Sequence, residues 1–415
     1  MTEHCNRTLL GFAAAYLALL PTNAATFARS LTFGVSGVCA LILVVLSLRG
    51  RAPRVPYVGT PILLPLLLWV GWSTASLAWS VEPSYSSGQL AREVMDSLLA
   101  VLIFYMAPYN ARALRVLVTC AFASLVVFAL LSFAMDWRGN WDAGVSHNGV
   151  GPWSTWLVLI APLLFLLIAP KPIGYGRRPA SIAIALLLLV LIIFCARMTD
   201  NRIVWIALSA VFGAASLIAA LRWREPLTRR PVRFILPLLA LLVVLAVAFV
   251  DAVKERASIY PRDVTVAATI ENDPRVALWE HLRVRIGERP WLGYGFGRLI
   301  LAEPMSRELD NPLLTHAHNV FASQWLQTGF IGMAAFALFV AGLLWRYARF
   351  VRAPDEALAI VGLVGITLIT GWLVKNVTDD FLFRSNAKEF WALTTMLLGY
   401  GVRRAQRLRK DVPAA

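Results

Sequence analysis

Twelve apolar runs, each close to the length of a bilayer crossing, occupy most of the 415-residue sequence. They lie near 9–27, 31–48, 61–80, 92–107, 114–135, 150–169, 180–196, 202–221, 232–250, 318–345, 357–375 and 388–401. About 20 apolar residues in a helix cross the hydrocarbon of a membrane, so runs of this length predict transmembrane helices. Composition agrees: 15% of residues are charged and 59% hydrophobic, whereas a soluble domain carries about 25% charged residues. Soluble enzymes and disordered chains are thereby excluded. The expected fold class is an all-α polytopic membrane protein with about twelve transmembrane helices. The fourth and twelfth runs are the weakest, because they are short or carry Arg92, Glu93 and Asp96, or Lys388 and Glu389. The first run is longer than the apolar core of a signal peptide and is followed at once by the second, so it reads as a retained span.

A net charge of +15 in a soluble chain would raise nucleic acid as a partner. Its distribution points elsewhere. With the amino terminus in the cytoplasm, the inner segments collect Arg49, Arg51 and Arg54; Arg222, Arg224, Arg229, Arg230 and Arg233; and Arg403, Arg404, Arg407, Arg409 and Lys410, with few acidic residues among them. This is the positive-inside pattern, and it places both termini in the cytoplasm. The partner of that charge is membrane lipid, not nucleic acid.

The organisation expected is helices one to nine over 1–250, a polar outer loop or cap over 251–317, helices ten to twelve over 318–401, and a basic cytoplasmic tail over 402–415. The outer loop balances its basic and acidic residues. Asp273 suits a helix N-cap and Pro274 the first helical position, and Val276, Trp279, Leu282 and Ile286 recur at helical spacing. An amphipathic helix across the outer membrane surface is therefore predicted, ended by the turn-rich Pro290-Trp291-Leu292-Gly293-Tyr294-Gly295-Phe296-Gly297. Cys5, Cys39, Cys120 and Cys195 all lie outside this loop, so no disulfide is indicated there. No glycine-rich nucleotide loop is present.

Polar residues gather at the outer ends of the helices. His318 is expected to open the tenth span, and imidazole suits general-base work near neutral pH. At 100° per residue, Ala322, Trp325, Gly329, Gly332 and Phe336 share its face; the small ones suit close helix packing and the bulky ones interrupt it. Arg202 stands where the eighth span begins, with Arg197 close by. A helix N-terminus with unpaired N–H groups and an added guanidinium favours an anion such as phosphate. Arg275 sits at the start of the predicted loop helix and admits the same role, or a salt bridge with Asp273 or Glu271. His316 and His318 lack an accompanying carboxylate or cysteine at ligand spacing, so no metal is expected. Asp379 and Asp380 are expected to be neutralised by Arg384 or Lys388. Asn148, in the turn before the sixth span, is a possible site-lining residue.

His318-Asn319, nine residues, Gly329, two residues and Gly332 resemble the H-[NSQ]-x9-G-x2-[GTY] element of O-antigen ligases of the WaaL type. Arg275-x3-Trp279 with the following Pro290–Gly297 segment is similar to the signature of the wider O-antigen ligase and polymerase superfamily. Arg202-x3-Ile206 resembles its R-x3-L element, with Ile in place of Leu, and His147-Asn148-Gly149 its asparagine-containing turn. The resemblance implies a bacterial inner-membrane glycosyltransferase of the GT-C type with its site at the periplasmic face. It implies undecaprenyl-pyrophosphate-linked glycan as donor, lipid A–core oligosaccharide as acceptor, and no cofactor. His318 would act as general base, Arg202 and Arg275, with Arg197, would hold the pyrophosphate, and His316, Asn319, Asn148, Asp380 and Arg384 would line the site. Gly329 and Gly332 would serve helix packing. Two alternatives remain open: a polymerase or other lipid-linked-glycan transferase of the same superfamily, and a transporter with an anion-binding outer gate.

Overall fold

Long apolar segments in lipid satisfy their backbone hydrogen bonds internally only as helices or closed barrels. The computed structural model is helical, with no strand among the described residues. The structure describes residues 2–22, 25–135, 149–171, 173–176, 178–199, 201–223, 232–259, 273–312 and 314–411. In chain order the helices are α1 (Thr2–Leu19), α2 (Thr26–Leu48), α3 (Thr60–Ala75), α4 (Pro83–Gln89), α5 (Asp96–Met106), α6 (Ala111–Met135), α7 (Val150–Ile160) and α8 (Leu164–Leu167). They continue as α9 (Pro179–Met198), α10 (Ile203–Arg222), α11 (Val232–Ile259), α12 (Pro274–Glu288), α13 (Ala302–Glu308), α14 (Val320–Val351), α15 (Glu356–Lys375) and α16 (Arg384–Lys410).

Among the described residues, eight helices are long and apolar enough to cross a membrane. The first, fourth and twelfth expected runs form helices that do not meet that description. α1 takes in the polar turn containing Glu3 and Arg7 and stops at Leu19, short of the expected 27, with Pro21 just beyond. The fourth run is divided: α4 and α5 flank a π-helical turn, Leu90–Met95, that contains Arg92 and Glu93. α16 runs well past residue 401, so the basic segment expected to be a tail continues the helix to Lys410.

α15 is the hub. It packs against α7, α10, α14 and α16, and it is buried along nearly its whole length, as an all-round apolar helix must be. Trp372 of α15 stacks on Phe390 of α16, with ring centroids 4.1 Å apart. α2 and α9 instead turn apolar faces outward, with Leu41, Val45, Leu186 and Leu187 exposed, the arrangement expected of helices bordering lipid.

From residue 273 onward the segment that precedes α14 is folded against the bundle. Asp273 accepts a hydrogen bond from the Arg275 amide and caps α12 as predicted, with Pro274 at the first turn. Leu278, Leu282, Tyr294, Ile300, Met305, Leu314 and Ala317 form a separate small core, with Trp279 and Ile286 packed against it. Val276 departs from the predicted apolar face and is exposed.

α14 is broken at Gly329, where φ is 67° and ψ −176°. The glycine-rich loop enters this break. Phe330 N–H donates to Pro290 O at 2.8 Å, Tyr294 N–H to Leu326 O at 2.9 Å, and Gly295 N–H to Gln327 O at 2.9 Å. Carbonyls released by the break thus find backbone donors from the loop, which lets an apolar helix be interrupted without leaving them unpaired. A Cβ on Gly329 would stand 2.0 Å from Trp291 O, and one on Gly293 2.6 Å from Gln327 O. Gly329→Ala therefore combines left-handed strain with a backbone clash. The expected loss is about 2–4 kcal/mol of stability, read as a lower thermal midpoint of the purified protein. An unchanged midpoint would show that the loop can move aside.

Candidate active site

The same joint between cap and bundle fixes His318. Asn319 caps α14, its Oδ1 accepting from the Phe321 and Ala322 amides at 3.0 Å. Its Nδ2 donates to Val377 O at 3.0 Å, and Val320 N–H donates to Asn376 O at 3.1 Å. The cap side adds a third tie, from Trp279 Nε1 to Ala317 O at 3.1 Å. His318 therefore lies just before the helix and not in its first turn, with φ at 46°, a left-handed conformation that costs a non-glycine residue on the order of 1 kcal/mol. This corrects the expected stripe: His318 precedes the cap and Gly329 breaks the phase, so the face at 100° spacing does not exist. Gly332 is tightly packed, since a Cβ there would stand 2.1 Å from Thr328 Oγ1 and 3.0 Å from Trp72. Trp325 donates to Pro290 O at 2.8 Å and so braces the inserted loop.

His318 Nδ1 lies 3.4 Å from Asp379 Oδ1, and Asp379 Oδ2 lies 3.1 Å from Lys375 Nζ. Burial alone would raise the Asp379 carboxyl. Lys375, the His318 hydrogen bond and the nearby Arg275 more than offset that and hold it well below the usual carboxylate range. An ionised carboxylate only accepts, so the proton of a neutral His318 ring sits on Nδ1. Nε2 is left with a lone pair, the arrangement a general base needs. The His316 ring lies over that of His318, centroids 3.8 Å apart. Burial first, then Arg298 and His318, push the His316 pKa down to about 2, so this ring is neutral, and its buried Nε2 has no hydrogen-bond partner among the described residues.

Arg202 and Arg275 converge on one atom. Arg202 Nη2 is 3.8 Å and Arg275 Nη1 3.4 Å from Asp273 Oδ2. One guanidinium comes from the N-cap of α10 in the bundle, the other from the first turn of α12 in the cap. Each side chain is about a third exposed or less. Arg197 is instead 3.2 Å from Asp251, within the bundle helix α11. Asn148 lies outside the described residues.

Asp379 and Asp380 have other partners than expected. Asp379 pairs with Lys375 and His318, and Asp380 Oδ2 lies 3.6 Å from Arg298 Nε. Lys388 is bound to Asp96 at 2.6 Å, and the Arg384 amide donates to Glu93 at 2.6 Å. Arg384 and Lys388 face other carboxylates because α16 begins after a turn that carries them toward Glu93 and Asp96. Burial pushes the Asp380 carboxyl up, against the pull of Arg298. Arg298, Asp380, Gln324, Gln327 and Glu93 line a small polar recess beside the histidines. Sequence reasoning missed Asp379 as the partner of His318, as well as Lys375 and Arg298. The signal for Arg298 was its place directly after Gly297.

His316, His318 and Asp379 present ligand-capable atoms within 4.8 Å of one another, so the fold supplies a carboxylate that the local sequence lacked. Lys375 already holds that carboxylate, and Arg275 and Arg298 add positive charge around it, an environment that opposes a second cation.

Residues 185–337 match the family model described as O-antigen ligase. Over that stretch, the chain resembles the O-antigen ligase family. No curated protein matches the chain. The matched stretch contains Arg197, Arg202, Arg275, His316, His318, Gly329 and Gly332, whereas Lys375, Asp379 and Asp380 lie beyond it. With its apolar helices, this family likeness fits a membrane-embedded protein.

Proposed function

We propose that the chain is an O-antigen ligase, which transfers polysaccharide from undecaprenyl pyrophosphate to lipid A–core oligosaccharide at the periplasmic face of the bacterial inner membrane. The observation that carries this reading is the convergence of Arg202 and Arg275 on one carboxylate oxygen, with Arg275 also acting electrostatically on the Asp379 carboxylate that orients His318. In this reading His318 Nε2 takes the proton of the acceptor hydroxyl, whose oxygen attacks the anomeric carbon. The bond from that carbon to the pyrophosphate oxygen breaks, and the leaving group departs with the electron pair toward the two guanidinium groups. In-line attack inverts the anomeric configuration. The donor is already activated, so no nucleotide is needed, and fixed arginines do the work a metal does elsewhere. Transfer is therefore expected to survive EDTA; loss of activity restored by a divalent ion would restore the metal reading.

Asp273 pairs with both arginines, so it competes with the pyrophosphate for them. Asn retains the capping oxygen and removes the charge. Asp273→Asn is expected to lower the donor KM about 3- to 10-fold, on the scale of one partly exposed charge. A KM unchanged or raised would show that Asp273 serves only the helix cap.

The test of the whole reading combines purified protein, lipid-linked glycan and lipid A–core. A glycan ladder on the core is the expected product. Longer lipid-linked chains would make the protein a polymerase, and no covalent product would favour a transporter.

A further inference from the structure

The end of the bundle opposite His318 contains a second charged feature. α15 connects the two ends: its cap Asp355 meets Arg404 Nη2 at 2.7 Å, and its last residue Lys375 meets Asp379. Its 20 residues separate those points by about 30 Å. At the Asp355 end, the start of α1, the segment after α2, the end of α5 and the last turns of α16 enclose a cleft of about 880 Å³. Arg54, Arg403, Arg407, Arg409 and Lys410 line it, and among the described residues no carboxylate does.

Two of these cations are built into the wall. Arg403 donates to Tyr105 O at 2.6 Å and Gly399 O at 3.0 Å, and Arg407 donates to Tyr109 O at 2.7 Å. Arg54, Arg409 and Lys410 have no hydrogen bond or ion pair among the described residues, which leaves their donors available. Five like charges around one concavity repel one another, and a multivalent anion relieves that repulsion. The volume suits a polar headgroup with its linker rather than a bare phosphate. The lining also includes Leu43 and Met106. Leu43 belongs to α2, whose Leu41, Val45 and Leu48 are exposed along the outer face. That face gives acyl chains an apolar path away from the charged lining.

We propose that this cleft binds the headgroup of a phospholipid carrying two phosphodiesters, drawn from the leaflet at that end of the bundle. Basic pockets at the inner ends of membrane helices bind such headgroups through phosphate charge. The inference is independent of the reaction proposed above, because none of its residues belongs to the His318 site.

The test uses full-length purified protein and native mass spectrometry against three lipids: a phospholipid with two phosphodiesters, one with a single phosphodiester, and a zwitterionic one. The first is expected to be retained at least tenfold more tightly than either of the others. The triple variant Arg54→Gln, Arg409→Gln, Lys410→Gln is expected to weaken it about a hundredfold, since each interfacial cation contributes about fivefold. Removing three exposed cations of the same end elsewhere, with Arg112→Gln, Arg349→Gln and Arg352→Gln, is expected to leave retention within about threefold. The double variant Arg54→Lys, Arg409→Lys keeps the charge and is expected to bind within the same threefold range. Equal weakening by the two triple variants, or equal retention of all three lipids, would overturn the proposal. Displacement of the lipid by inorganic phosphate at equal concentration would also overturn it, by making the site one for free phosphate.

Discussion

Replacing His318 with Asn is expected to lower glycan transfer by about 10²–10⁴-fold, the range a lost general base costs, while the protein still inserts and lipid-linked donor accumulates. Asn suits this test because it tolerates the left-handed backbone that His318 adopts, so the loss can be read as chemistry and not misfolding. His318→Ala is expected to lose as much transfer, with some added destabilisation. The base is held by its neighbours. Asp379 fixes the Nδ1 proton, Lys375 keeps Asp379 ionised, and Asn319 pins the segment to the α15–α16 connection. Full transfer by the Asn variant would remove His318 from the chemistry and leave it as a partly buried connector between cap and bundle.

Arg202→Ala and Arg275→Ala are expected to cost about 10²–10³-fold each in kcat, the magnitude seen when one donor to a developing oxyanion is removed. The two losses should not add when combined, because both guanidinium groups address one site. Lysine at either position keeps a point charge but loses the planar fork, so a smaller loss of about tenfold is expected. Single-turnover assays with saturating donor separate this loss from weaker binding. Wild-type turnover in both Ala variants would reduce the arginines to interfacial anchors.

Much of the architecture was legible in the sequence because lipid leaves the chain few options. The apolar runs became helices, and Asp273 and Pro274 marked the start of α12. Charge within or beside an apolar run was harder to read. Arg92 and Glu93 sit in a π turn that divides the fourth run, and the basic residues after 401 continue α16. The helical phase of His318 was misread for a similar reason. A periodicity argument assumes an unbroken helix, and the break at Gly329 exists only because a loop some forty residues upstream enters it. Within the candidate site, His318 and the two arginines carried local signals, a histidine and cations at expected helix ends. Asp379 carried none, since it meets His318 only when the α15–α16 turn folds against the cap of α14. The two carboxylates were noticed as a pair but given the cations that follow them in sequence, Arg384 or Lys388, whereas the fold assigns them Lys375 and Arg298.

The central claim is that Arg202, Arg275 and His318 act together on one lipid pyrophosphate. A structure of the protein with bound undecaprenyl-pyrophosphate glycan tests it most directly. The account predicts both guanidinium groups within hydrogen-bond distance of pyrophosphate oxygens, Asp273 turned away from them, and His318 Nε2 facing the anomeric carbon from the side opposite the leaving group. A pyrophosphate seated elsewhere, with the Arg202 and Arg275 contacts to Asp273 intact, would contradict it.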